Sequence, residues 1–269
     1  SKALLASTFV GTNQYDQVYG VQTDDSNHVY VTGQTLGAYP VSANVYSNPN
    51  SSQFIAKFDA TLATQLISTV YGSGTTAFTN ISPNAFLVDK CQNIYVSGWG
   101  GSLGFPISSS TTGMPTTPNA LQLNTDGNDF YFIVLSKNMQ NLIYGSFFGQ
   151  NGGVSEHVDG GTSRFDANGV IYQAICAACG ASQVFPTSPG VVYPQNASPN
   201  CNLAALKISF DLLNPYAVAS ANGPLFGCAP LTINFQNNST SATSYSWDFG
   251  DGSPIDNSYI PPPHTYNTA

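Results

Sequence analysis

The sequence predicts an all-β protein whose first part, residues 1–213, is a partial β-propeller of about three four-stranded blades plus one leading strand. Three observations predict it. Glu and Lys, which favour exposed helices, are nearly absent, and charged residues make up 7% of the chain. Aromatic residues make up 12%, which requires a buried core. Strand-like elements also recur in a fixed order, as in repeat architectures.

The first repeated element is an apolar β run that ends in a small residue and follows a turn rich in Asp and Asn. Asp and Asn side chains bond to their own backbone in tight turns. The β-branched and aromatic residues that follow suit a buried strand. The runs occupy 29–33, 94–98 and 170–174, and the turns occupy 24–27, 89–93 and 166–169.

Three further elements follow each copy in order. An aromatic residue before proline, expected to fill a gap between neighbouring sheets, lies in 39–41, 105–107 and 185–187. Third strands are expected at 54–59, 130–135 and 203–208, and closing strands at 68–72 and 145–149. Each unit matches one propeller blade, with boundaries near residues 13, 74 and 153. The alternative is a β-sandwich with coincidental Tyr-rich strands.

Segment 7–11 resembles the closing strands, so we expect it to be the last strand of a preceding blade. Propellers close with about four to eight blades, and a set of three leaves open sheet edges. We therefore expect either further blades upstream or another chain that completes the ring.

The composition excludes some classes of partner. A net charge of -8 with only 6 Lys and Arg cannot neutralise many phosphates, so no nucleic acid is expected. No apolar run reaches the ~18 residues of a membrane helix, so no membrane insertion is expected. The chain begins at Ser1 without a signal peptide, which indicates a removed targeting segment or a piece of a longer chain.

Four cysteines of the first part are disulfide candidates: Cys91, Cys176, Cys179 and Cys201. The spacing of Cys176 and Cys179 also fits a redox motif, or a zinc site completed by the other two. The low charge and the many Asn and Thr residues indicate an exported protein, where disulfides are favoured. A bridge from Cys201 to Cys176 or Cys179 is expected, with Cys91 taking the remaining partner. Cys228 is expected to pair beyond residue 269.

A short loop carries oxygen ligands at alternate positions, as calcium loops do. Its candidate ligands are Asn124, Asp126, Asn128 and Asp129. It lacks the distal bidentate Glu of an EF-hand, and a simple turn before the strand at Phe130 is the alternative. Calcium is the only cofactor that the sequence suggests.

The densest group of ionisable side chains is Glu156, His157, Asp159 and Arg164. A Glu/His/Asp group suits general acid–base chemistry. The group lies in a Gly-rich turn, however, where Asp159 is expected to cap backbone amides and Arg164 to pair with a carboxylate. No catalytic residue is therefore predicted.

The pattern changes after residue 214. A strand is expected at 227–235, and a second at 244–253 contains Trp-Asp-Phe-Gly-Asp-Gly, with Tyr245, Trp247 and Phe249 on its buried face. His-Thr-Tyr follows at 264–266. These residues resemble the PKD domain. The resemblance implies an incomplete immunoglobulin-like β-sandwich over 214–269, in which Asp248 and Asp251 shape the turn.

The repeats resemble the SBBP type of propeller repeat. Segments 156–187 and 89–101 also resemble large secreted PKD-containing proteins of Bacteroidota, which are labelled gliding-motility-associated and look like substrates of the type IX secretion system. The first unit departs from this group, since Tyr39-Pro40 replaces the usual Phe-Pro. The resemblance implies surface display, adhesion or assembly, with no defined catalytic residues.

We therefore expect a non-catalytic extracellular protein, secreted or attached to the outer membrane, that acts as an adhesion, spacer or assembly module. Its expected partners are other surface proteins, further domains of the same chain, or glycans. A carbohydrate-binding module or a glycan-active propeller enzyme is the alternative. An assembly subunit whose open blade edge accepts a strand from a partner is a third possibility.

Overall fold

The computed structural model describes residues 3–101, 109–152, 156–159, 163–179, 185–210, 212, 217–239 and 244–268. The chain divides into two compact units, Ser1–Phe210 and Asp211–Ala269. The described residues contain no α-helix, and their one helical element is a 3-10 turn at Lys137–Met139. All the sheets are antiparallel, so the all-β prediction is confirmed.

The first unit contains three sheets whose strands follow one another in chain order from one edge to the other. Sheet one contains β1 (Asp16–Thr23), β2 (Val29–Thr35), β3 (Gln53–Phe58) and β4 (Gln65–Tyr71). Sheet two contains β5 (Ser82–Val88), β6 (Ile94–Trp99), β7 (Phe130–Leu135) and β8 (Leu142–Phe148). Sheet three contains β9 (Ser163–Phe165), β10 (Ile171–Ala177) and β11 (Asn202–Ile208).

The Asp-rich turns connect the first and second strands of each sheet. Asp24 accepts backbone hydrogen bonds from within its turn, and its second oxygen accepts the Tyr30 hydroxyl at 3.1 Å. Asp89 repeats this arrangement and accepts the Tyr95 hydroxyl at 3.0 Å. Asp166 accepts the turn amides in the same way but has no tyrosine partner among its hydrogen bonds. The repeated sequence therefore encodes a repeated hairpin that is tied to the strand after it.

Two apolar clusters cover the two faces of sheet one. The first joins sheets one and two through large side chains that include Tyr30, Ile55, Tyr71, Ile94, Val96, Tyr131 and Ile133. The second lies on the opposite face of sheet one and includes Val31, Phe54, Phe58 and Val70. Because successive strand residues point to opposite faces, neighbouring residues divide between the clusters. Every residue of β3 and of β7 is buried.

The two described aromatic residues that precede proline each pack against another aromatic ring. Tyr39 stacks on Phe54 with a ring separation of 4.1 Å. Phe185 meets Phe148 of sheet two edge-on, with ring centroids 5.6 Å apart. The corresponding segment 105–107 lies outside the described residues.

One detail of the predicted repeat is wrong, because segment 7–11 forms no strand. Sheet three has three described strands, so the fourth strand of its blade stays a prediction. A strand needs a neighbour for its backbone hydrogen bonds, and no described strand lies beside this segment. Residues 3–9 are exposed, while Val10 packs against the second cluster of sheet one.

The second unit contains one sheet of β12 (Ala219–Asn222), β13 (Leu231–Asn237) and β14 (His264–Tyr266). The strand expected at 244–253 is wrong, because this segment forms only one bridge, between Trp247 and Asp256. Tyr245, Trp247 and Phe249 are nevertheless less exposed than the residues between them, as the alternation predicts. The described part of this unit shows no second sheet, so the sandwich stays a prediction.

Candidate cation site

The predicted calcium loop lies directly before β7. Asp126 shapes it, since one carboxylate oxygen accepts the Asn128 amide at 2.9 Å. The other oxygen accepts the Gly152 amide at 2.6 Å, which ties the loop to the segment after β8. Asn124 is exposed, and its backbone carbonyl accepts the side chain of Gln122. Only Asp129 of the four predicted ligands is fully buried.

Glu156 meets Asp129 from a distant part of the sequence. One Glu156 oxygen, Oε1, accepts the Gln150 amide at 3.0 Å. The second, Oε2, and both carboxylate oxygens of Asp129 are buried and accept no hydrogen bond of standard geometry from the described residues. A methyl group on Gly149 would clash with Asp129 Oδ1 and lie 2.7 Å from Glu156 Oε2. The two carboxylates therefore converge beside Gly149, where only a residue without a side chain leaves room.

The electrostatics of this pair are unfavourable in the absence of a cation. Burial raises the pKa of Asp129 to about 6; polar contacts from Thr125 and Gln122 oppose this rise, and the charge of Asp126 reinforces it. Burial and the charges of Asp129 and Asp126 raise the pKa of Glu156 to about 8. A buried carboxylate without a donor costs several kcal/mol in rough terms. A bound cation would remove this cost by supplying the missing charge.

The oxygen donors indicate which cation would fit. Gln150 is also buried, its Oε1 has no donor, and its amide nitrogen donates to the Cys179 carbonyl at 3.0 Å. Carboxylate and amide oxygens are the ligands that calcium prefers. Asp129 and Glu156 are therefore the residues that could hold calcium, with Asp126 adding negative charge nearby.

The four ionisable residues grouped by the sequence separate in the structure. Glu156 points inward to Asp129, whereas His157 pairs its backbone with Cys176 and has its ring nitrogen 3.4 Å from an Asp159 oxygen. Arg164 lies exposed on β9. These residues therefore do not share one acid–base site. The sequence placed Asp129 in a cation loop but missed Glu156 as its partner, for which the single Glu beside a Gly-rich turn was the only signal.

The cysteines form one disulfide, between Cys179 and Cys201, so the predicted disulfide chemistry is confirmed for this pair. Cys91, Cys176 and Cys228 are free, and the second bridge expected for Cys91 does not form. His157, Cys176 and Cys179 place their ligand atoms within 4.8 Å of one another. Because the Cys179 sulfur is already bonded to Cys201, this trio cannot supply two thiolates to a metal in the oxidised protein.

The acidic residues of the second unit act within its turn. Asp248 accepts the Gly250 amide at 2.9 Å, and Asp251 accepts the Ser253 amide at 3.1 Å. Asp251 also lies 2.8 Å from the His264 ring nitrogen. Hydrogen bonds from Ser253 and His264 lower the pKa of Asp251 to about 2.

A shallow cleft of about 310 Å³ follows the first strands of the three sheets, which contact one another in series. Its wall includes Tyr19, Gln22, Asn84, Phe86 and Arg164. Arg164 is the only arginine of the chain. The cleft therefore offers amide, hydroxyl and guanidinium groups beside aromatic rings.

No protein-family model and no curated protein sequence matches the chain. No described helix is both long enough and apolar enough to cross a membrane.

Proposed function

We propose that the chain is a non-catalytic extracellular module, stabilised by calcium, that serves adhesion, spacing or assembly at a cell surface. The convergence of Asp129 and Glu156 beside Gly149 carries the proposal. Extracellular modules bind calcium at about 10⁻⁴–10⁻³ M, so a site that needs a cation suits an extracellular protein. The disulfide between Cys179 and Cys201 supports the same compartment, because disulfides persist in oxidising surroundings.

The proposed architecture is a partial β-propeller followed by an incomplete PKD domain. Three successive antiparallel sheets whose first strands contact one another support propeller blades. In the second unit, Phe249 stacks on His264 at 4.0 Å and the Tyr266 hydroxyl donates to the Phe249 carbonyl. These contacts link the two motifs that resemble PKD domains. Together with the repeats, they support a secreted surface protein of the Bacteroidota type.

Surface display and turnover assays together test this role. In cells that produce the protein, external protease should remove it without lysis, and deletion of its gene should weaken attachment or surface assembly. The purified chain should hydrolyse no glycan of a diverse panel. Protection from external protease would contradict the surface role. Glycan turnover that is abolished in Glu156→Gln would contradict the non-catalytic role.

The cleft favours glycan binding as a second candidate function. The exposed Tyr19 presents a ring surface, and Arg164 and Asn84 supply hydrogen-bonding groups of the kind that orient a small polar ligand. Glycosidases normally use two carboxylates, and no Asp or Glu is among the described residues that line the cleft. Binding therefore fits the cleft better than hydrolysis does.

A glycan array tests this second function. Arg164→Ala should abolish binding, and Lys207→Ala, which removes an exposed cation of β11, should retain it. Equal binding by the two variants would exclude the cleft as the glycan-binding site.

A further inference from the structure

In the part of the chain that the structure describes, sheet three has an open edge at the position that a fourth strand covers in the other two sheets. In sheets one and two the third strand lies between the second and fourth strands and is buried throughout. In sheet three the third strand, β11, is the edge, and Leu203, Ala205 and Lys207 along it are exposed. Exposed edges of this kind are templates for strand addition.

The same chain contains a segment with the sequence of a fourth strand. Ser-Thr-Phe-Val-Gly at 7–11 matches Ser-Thr-Val-Tyr-Gly at 68–72, which contains the end of β4, and Gly-Ser-Phe-Phe-Gly at 145–149, which contains the end of β8. Residues 3–9 are exposed, and Phe9 is fully so. The segment thus has the sequence of a closing strand without a described strand partner.

The two complete sheets define the register in which this segment would pair. In each of the three sheets, one residue of the third strand pairs with the small residue that ends the repeated β run. Those pairs are Gly33–Phe54, Gly98–Tyr131 and Ala174–Ala205. On the other side of the third strand, Phe54 pairs with Val70 of β4, and Tyr131 pairs with Phe147 of β8. In the sequence match, Val70 and Phe147 occupy the position that Phe9 has in segment 7–11. Phe9 therefore belongs opposite Ala205, and Ser7 opposite Lys207.

A loop covers the outer side of the fourth strand in the complete sheets. Ser42 donates its amide to the Ser68 carbonyl at 2.9 Å, and Thr117 donates to the Gly145 carbonyl at 3.0 Å. Ser188 occupies the corresponding position in sheet three. Its loop is exposed, including Val192 at 83% and Tyr193 at 84%. If the loop after Ser188 is placed as in the other sheets, a strand added to β11 would pair with β11 on one side and with this loop on the other; we call this position the slot.

The packing of Val10 indicates whether the strand comes from the same copy of the chain or from a second copy. Tyr71, its counterpart in β4, packs in the cluster between its own sheet and the next one. Val10 packs on the face of sheet one opposite that cluster, where a preceding sheet would lie. Sheet three contacts sheet two, through β9 and β5. The segment and the open edge therefore lie at opposite ends of the series of sheets, so one copy presents the strand and another the slot.

We propose that residues 7–11 of one copy add to β11 of a second copy as the fourth strand of sheet three. Phe9 then faces Ala205, and the Ser188 amide donates to the Ser7 carbonyl. Every copy carries both the strand and the slot, so two copies can exchange strands reciprocally. This self-association does not depend on where the protein is displayed or on whether calcium binds.

Cross-linking of mixed variants tests the register and the partner. One tagged chain carries Phe9→Cys and an untagged chain carries Ala205→Cys, both with Cys91→Ser and Cys228→Ser to remove exposed thiols. Oxidation should join tagged to untagged chains, because facing Cα atoms in antiparallel strands lie about 4.5–5.5 Å apart, which suits a disulfide. Lys207→Cys is the matched control for the second chain, since it is exposed, pairs with Tyr172 and not with a cysteine, is out of register with Phe9, and should cross-link far less.

Three results would overturn the proposal. The first is mixed cross-linking no greater than in the Lys207→Cys control. The second is a cross-link that forms only within one chain when both cysteines are placed together. The third is a parent chain that sediments as a monomer up to submillimolar concentration. Circular dichroism and thermal unfolding equal to the parent establish that each variant is folded.

A charged residue introduced into segment 7–11 provides a second test of self-association. Phe9→Asp should weaken association by at least about tenfold, which corresponds to about 1.4 kcal/mol. Leu121→Asp, an exposed apolar position outside the slot, should leave association unchanged. An equal effect of the two variants, or no effect of Phe9→Asp, would also contradict the exchange.

Discussion

Carboxylate oxygens of Asp129 and Glu156 both lie beside Gly149, although Asp129 directly precedes β7 and Glu156 follows β8. Each is almost completely buried. Because burial and mutual repulsion both disfavour their charged forms, this pair is a local source of instability that a cation would relieve.

Calcium should stabilise the parent chain and fail to stabilise Asp129→Asn and Glu156→Gln. At a calcium concentration about 100 times Kd, the expected gain is about 2.7 kcal/mol. In EDTA at about pH 9, above the pKa values of both carboxyls, both variants should be more stable than the parent, because each removes one buried charge. Thermal unfolding with calcium, magnesium or EDTA measures this, with the exposed Asp25→Asn as control. A calcium response that persists in the variants would exclude the site.

Gly149→Ala should destabilise the first unit and abolish the calcium response. The added methyl group would meet Asp129 Oδ1 and Glu156 Oε2, which are backed by buried residues. Overpacking of this kind costs about 1–3 kcal/mol. Gly227→Ala in the second unit is the control, since its nearest contact would be a flexible leucine tip at 3.2 Å. Denaturant unfolding that shows equal stability of the two variants would contradict the convergence of the carboxylates.

Loss of the Cys179–Cys201 disulfide should destabilise the first unit. The bonded cysteines are 22 residues apart, and a loop of that length corresponds to about 3 kcal/mol of unfolded-state entropy. We expect Cys179→Ser combined with Cys201→Ser to lower the unfolding temperature and to make it insensitive to reductant. Both cysteines are replaced because a freed Cys179 would lie 3.7 Å from the Cys176 sulfur and could bond to it. Cys91→Ser, which removes a free exposed thiol, should behave as the parent does. A parent chain whose unfolding temperature is unchanged by reductant would refute this role.

Asp24 should make the first unit sensitive to acid. Burial raises its pKa, but hydrogen bonds from His28, Lys57 and Tyr30 outweigh burial and hold the pKa far below its usual range. The stability that its charge contributes is therefore present above about pH 4 and is lost as the pH falls below that value.

Urea unfolding between about pH 5 and about pH 2 measures this loss. Asp24→Asn should be less stable than the parent at pH 5, and the difference should shrink at low pH. The neighbouring exposed Asp25→Asn is the control and should follow the parent throughout. A difference that stays constant with pH would show that the charge of Asp24 does not stabilise the fold.

Local sequence signals predicted the second, third and fourth strands of the first two sheets, but they did not locate β1 or β5. The Asp-initiated turns at Asp24 and Asp89 and the apolar runs after them act over a few residues, so their pattern is visible in the sequence. The prediction failed at 7–11 and at 244–253. Both segments have strand-like composition, but a strand exists only where a neighbouring backbone accepts its hydrogen bonds.

The sequence by itself determined the all-β class, the repeated hairpins and the candidacy of Asp129 as a cation ligand, since these depend on turn chemistry, alternation and loop composition. Only the tertiary structure decided that Glu156 faces Asp129 across Gly149, that Cys179 bonds Cys201, and that β11 is an edge. Those features depend on which distant segments meet. Long-range contacts of this kind are fixed by packing of the sheets, which local spacing along the chain does not record.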